Sequence, residues 1–144
     1  MKKYIYITLA LIVFTFAAAG TSLACSCVVS RDSVKKQIAA SYDNSTVIFS
    51  GKVTSVEPAA DGMYVIVTLT VKESWKGTNG TEIKVKTAKD SAMCGFNFEA
   101  GKEYLVYTNG IAGDLSVGNC SRTSQLEGNT DIKYLAKLKK KYTK

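Results

Sequence analysis

Histidine is missing altogether from the 144 residues. That absence excludes a histidine-based catalytic triad, a histidine-ligated metal and a cysteine–histidine nucleophile pair. An active site would have to rest on Asp, Glu, Lys or Ser alone, and no pair of these stands out by its spacing. No enzymatic activity and no cofactor is therefore expected. Internal repeats and low-complexity segments are lacking too. Acidic residues are few, 12 Asp and Glu against 19 Lys and Arg, which gives a formal charge of +7.

What is present begins with a leader. Lys2 and Lys3 precede an almost wholly apolar run from Ile5 to Ala19, and Ser22-Leu23-Ala24 places small residues at the −3 and −1 positions of a signal-peptidase site. The expectation is a signal peptide over 1–24 and a secreted domain over 25–144 that starts at Cys25. No second long apolar run follows, so the mature chain is expected to be soluble. An uncleaved anchor is one alternative. Another is a lipid-anchored, cell-surface form, since Cys25 sits where a diacylglycerol acceptor would; Ser22, however, stands where such leaders usually carry Leu. Without Lys2 and Lys3 the chain keeps 17 Lys and Arg against 12 Asp and Glu, or +5. Much of that excess lies between Lys133 and Lys144. In an exported chain this balance suggests anionic cell-envelope polymers or acidic partners, although the plainest reading of the tail lysines is a solvated face.

Four cysteines, Cys25, Cys27, Cys94 and Cys120, all follow the leader. An even number in an oxidising compartment reads as two disulfides. A Cys25–Cys27 bond is disfavoured by geometry, which leaves two connectivities, both tying the N-terminus to Cys94 and Cys120. Either way each bridge closes a long loop, worth about 4 kcal/mol in the chain-entropy model. A four-cysteine zinc site is the competing reading, but the chain lacks paired C-x2-C ligands.

Ser30 to Tyr42 reads as a helix, capped by Ser30 or Asp32, with Val34, Ile38 and Tyr42 four residues apart. From Val47 the period changes to two. Alternation predicts strands over Val47–Val53, over Val65–Lys72 with Trp75 at its end, around Ile83–Val85, over Glu103–Thr108 and over Leu115–Val117, with turns at Pro58 to Gly62, Gly77 to Gly80, Gly101 and Asn109 to Gly113. Five strands with a glycine at a bend position, Gly51, suggest a small closed barrel, a small sandwich being the rival. Thr130 to Tyr142 reads as a second helix, with Ile132, Leu135 and Leu138 on one side. Tyr64, Tyr104 and Tyr107 are the residues on which a nucleic acid would stack. Strand alternation buries them equally well, and no nucleic-acid partner is expected.

Taken together, Cys-Ser-Cys at the mature N-terminus, V-I-F-S-G-K-V, E-S-W-K-G, M-C-G-F, E-Y-L-V-Y and N-C-S resemble the netrin-like domain, and specifically the inhibitory N-terminal domain of the tissue inhibitors of metalloproteinases. The resemblance covers residues 25–127, and the cysteine spacing is its most specific element. It implies a mainly β fold, a five-stranded barrel of the oligosaccharide/oligonucleotide-binding (OB) type with flanking helices, and the bridges Cys25–Cys94 and Cys27–Cys120. It also implies a partner, a zinc metalloprotease, and a monomeric inhibitor. Cys25 would chelate the protease's zinc through its backbone amine and carbonyl, and Ser26 would enter the specificity pocket. Cys27, Val28 and Val29 would continue along the cleft, with Ala92 and Met93 as the second half of the inhibitory ridge. The chain departs from the family in offering no cysteines for a third bridge, in its short Glu57–Met63 loop and in a leader of bacterial type.

Overall fold

The apolar alternation that starts at Val47 carries the chain into strands. The computed structural model describes residues 25–28, 30–77 and 80–142; the expected leader and Val29 lie outside the described residues. It contains α1 (Val34–Asn44), β1 (Val47–Pro58), β2 (Tyr64–Lys76), β3 (Glu82–Ala88), β4 (Glu103–Ile111), β5 (Asp114–Ser116), β6 (Ser124–Gln125) and α2 (Asp131–Tyr142). Among the described residues no helix is long and apolar enough to cross a membrane.

β1 pairs antiparallel with β2 from Ile48 to Pro58 and with β4 from Val47 to Lys52. β2 pairs with β3, β3 meets β5 in parallel at Lys86 and Ser116, and β5 returns to β4. The circuit β1-β2-β3-β5-β4-β1 is a closed five-stranded barrel of the OB type rather than a sandwich, and β6 adds a short outer pairing to β4. One strand serves two partners because it bends: the β1–β2 register shifts at Ile48/Phe49, Ser50/Gly51 and Val53/Ser55. At Gly51 a Cβ would stand 2.8 Å from the carbonyl oxygen of Thr70, so the close crossing of the strands requires glycine.

The pleat sends successive residues of β1 and β4 into two different cores. Val47, Phe49, Tyr104 and Val106 fill the barrel with Val67, Leu69, Val85 and Val117. Ile48, Leu105 and Tyr107 face outward, where Ile38 and Tyr42 of α1, Trp75 of β2 and Leu135 of α2 cover them. The two helices run in the same direction: Lys35 lies over the Tyr134 ring at 5.7 Å, and Tyr42 stacks on Tyr142 at 5.3 Å.

Several boundaries differ from the sequence reading. The first helix begins at Val34, and its cap Ser33 makes no side-chain bond. Ser30 and Asp32 bond to each other instead, Ser30 Oγ donating to Asp32 Oδ2 at 3.0 Å, and Gln37 Nε2 reaches back to the Asp32 carbonyl at 2.8 Å. Ile38 and Tyr42 are buried as their spacing implied, whereas Val34 is exposed. The first strand runs on to Pro58, because β2 offers it ladder partners beyond the end of β4. β6 had no alternation to announce it.

Candidate functional site

The connection from β3 to β4 builds one half of the site from backbone geometry. Asp90 Oδ1 accepts from the Met93 amide at 3.1 Å and closes a single 3-10 turn, Ser91–Met93. Cys94 then adopts a left-handed conformation, with φ 62° and ψ 24°, alone among the described non-glycine residues. The following Gly95 donates its amide to the Asp90 carbonyl at 3.0 Å, and a side chain there would collide with the carbonyl oxygen of Ala88. Phe96 and Phe98 drop into the end of the barrel against Tyr104, with ring centroids 5.8 and 5.0 Å from it.

The segment after β5 passes alongside. Gly95 and Gly118 form an isolated antiparallel bridge, and the Asn119 amide donates to the Cys94 carbonyl at 2.8 Å. Cys94 and Cys120 are thus placed side by side by the barrel's own backbone. Across them lies the N-terminal segment. Residues i and i+2 of an extended chain share a face, so Cys25 and Cys27 both turn toward the barrel. The bridges are Cys25–Cys94 and Cys27–Cys120, with Cα separations of 5.1 and 5.3 Å. Of the two connectivities that the cysteine count leaves, this is the one the fold adopts. The Cys25 and Cys120 sulfurs, from different bridges, are 4.0 Å apart.

Ser26, Cys27 and Val28 are exposed, Val28 completely so, and Ala92 and Met93, directly before Cys94, are exposed as well. The fold therefore gathers Cys25, Ser26, Cys27, Ala92 and Met93 at one doubly bridged tip. Val29 is outside the described residues. Tyr104 and Tyr107 are buried, which removes two of the three tyrosines considered for stacking on bases.

Behind the tip lies a polar network that sequence reading missed. Arg122, two residues past Cys120, donates from Nε and Nη2 to the two carboxylate oxygens of Asp131, each at 2.8 Å. Its Nη1 donates to Gln37 Oε1 at 3.2 Å, and the Tyr107 hydroxyl donates to Asp131 Oδ2 at 3.0 Å. Asp131 is only 4% exposed. Burial, and then the Asp131 charge, hold the Tyr107 phenol far above its ordinary value, while the hydrogen bonds to Asp131 raise the Arg122 guanidinium. The loop carrying Cys120 is thereby fixed to α1, α2 and β4 at once. The one signal available was Asp131 at a helix start, where a carboxylate suits the helix dipole; nothing in the sequence paired it with Arg122 across a loop. No family model matches the chain, and no curated protein matches it.

Proposed function

We propose that the exported chain, beginning at Cys25, is a netrin-like inhibitor that blocks a zinc metalloprotease with its N-terminal tip. A catalytic zinc in such an enzyme keeps one open coordination position beside its protein ligands. The α-amine and carbonyl oxygen of Cys25 would close a five-membered chelate on it. The amine must be neutral to donate, which is within reach because α-amino groups titrate near pH ~8 and a zinc ion favours the deprotonated form. Ser26 then enters the specificity pocket, Val28 and Val29 follow the cleft, and Ala92 and Met93 lie beside them.

The observation that supports this reading is the segment Cys25–Cys27, half-buried at Cys25 and exposed at Ser26 and Cys27, held at both ends by bridges to the barrel. A free N-terminus would lose chain entropy on binding; here most of that ordering is already done. The disulfides also fit an extracellular protein. The test compares the free-amine chain with an Nα-acetylated form and with one carrying an extra residue before Cys25, against a panel of zinc metalloproteases. Inhibition by the free form alone is expected. A blocked form that inhibits equally well refutes chelation.

One feature favours a second reading, a non-inhibitory module bound to anionic envelope polymers. α2 carries Lys133, Lys137, Lys139, Lys140 and Lys141, and its single carboxylate, Asp131, is buried in the network. That reading predicts salt-sensitive retention on an anionic polymer and no effect on any protease. Deleting the helix would expose the core under Leu135, so the proper variant replaces Lys133, Lys137, Lys140 and Lys141 by Gln. Unchanged retention excludes the module reading.

A further inference from the structure

We infer that the fully reduced chain holds one zinc ion through the thiolates of Cys25, Cys27, Cys94 and Cys120, a site distinct from any protease zinc and independent of the inhibitory reading. In the oxidised chain the sulfurs of Cys25, Cys27 and Cys120 lie within 4.8 Å of one another, and the fourth, of Cys94, is bonded to that of Cys25. A tetrahedral zinc with four Zn–S bonds of about 2.3 Å holds its sulfurs about 3.8 Å apart. The Cys25–Cys120 separation, 4.0 Å across two different bridges, is already close to that value. The two bonded pairs must open, and the Cys94 sulfur, which lies outside the group of three, must turn toward Cys27 and Cys120.

Half of the site survives reduction because bridges do not build it. The Gly95–Gly118 pairing and the bond from the Asn119 amide to the Cys94 carbonyl hold Cys94 and Cys120 together, and the Phe96–Phe98–Tyr104 cluster pins the Cys94 loop to the barrel. The other half is Cys25-Ser26-Cys27, whose alternate side chains face the same way. The chain lacks C-x2-C pairs, and the barrel supplies the missing adjacency. The chemistry balances in two steps. A phosphine with water gives each disulfide two electrons and two protons and leaves as the phosphine oxide, or a dithiol does so and leaves as its own disulfide; zinc binding then releases the thiol protons to solvent, forming Zn–S bonds with no change of oxidation state. Thiolate-only coordination selects a soft or borderline ion, and tetrahedral S4 geometry suits zinc.

The test reduces the exported chain with a water-soluble phosphine under argon and titrates it with Co2+, a coloured probe for tetrahedral zinc sites. Expected are saturation at one equivalent, intense tetrahedral d–d bands with thiolate charge transfer, and their loss on adding one equivalent of Zn2+. Cys27→Ser should lose charge-transfer intensity and bind cobalt more weakly. If the reduced apo chain loses its fold, zinc should restore its circular dichroism. A pale octahedral cobalt spectrum, an unchanged Cys27→Ser spectrum, or a reduced chain indifferent to zinc by both measurements overturns the inference.

Discussion

Replacing Asp131 by Asn probes the least expected part of the molecule. The carboxylate accepts two guanidinium bonds at 2.8 Å and one phenol bond at 3.0 Å while only 4% exposed. Asn keeps one acceptor for Tyr107 but turns a donor toward Arg122, whose side chain is 26% exposed. Losing one partner of a buried ion pair costs about 3–5 kcal/mol; since part of the guanidinium still reaches water, we expect the low end, about 3 kcal/mol. Tyr107→Phe removes one hydrogen bond to a charged acceptor and should cost about 1.5 kcal/mol. In the Asp131→Asn background the same change should cost less, with a coupling of about 1 kcal/mol. The assay is denaturant unfolding of the four members of this cycle, repeated across alkaline pH. The sign follows from linkage. The folded Tyr107 phenol is raised above its unfolded value near pH ~10, so its stabilising effect is complete below that pH and is lost as the unfolded chain ionises above it. The advantage of the native chain over Tyr107→Phe should therefore narrow above pH ~10, by at most about 1.4 kcal/mol per pH unit. A loss below about 0.5 kcal/mol for Asp131→Asn, with parallel alkaline profiles, would refute the reasoning.

Three further outcomes are expected. Leu135→Ala opens a cavity between α2 and the barrel at a fully buried site and should cost about 3 kcal/mol by denaturant unfolding. Gly95→Ala pushes a methyl group into the carbonyl of Ala88 and should move Cys94 off register, read as mispaired or free thiols in disulfide mapping after oxidative refolding. Paired replacement of Cys27 and Cys120 by Ala leaves Cys25–Cys94 in place. The loop released is then the roughly 28-residue path through that bridge, not the 93-residue sequence separation, so the loss should be about 3.5 kcal/mol.

The barrel was legible in the sequence because its signal is local. Val65, Val67, Leu69 and Val71 alternate on one face, and Gly101 and Gly113 turn the chain where strands end, whereas Asn109-Gly110, read as a turn, lies inside β4 because β5 gives both residues ladder partners, Ser116 and Leu115. β4 was harder: Tyr104 through Tyr107 are all buried because the barrel takes one face and the helices the other, so alternation of burial disappears while alternation of destination remains. The bridging partners could be narrowed to two sets by counting, and the family resemblance named the set that the fold adopts. Residues whose roles depend on distant partners left no trace. Arg122 looks like any loop arginine until Asp131, Gln37 and Tyr107 converge on it, and Cys94 shows nothing of its left-handed backbone in its residue type.

The double tether also decides where mechanical load travels. A force applied at Ser26 would pass through two covalent bridges into Cys94 and Cys120, and from there into loops locked together by the Gly95–Gly118 pairing. The covalent path from the tip thus ends in the barrel's own backbone pairing, and the Arg122–Gln37 bond passes part of any strain at Cys120 on to α1.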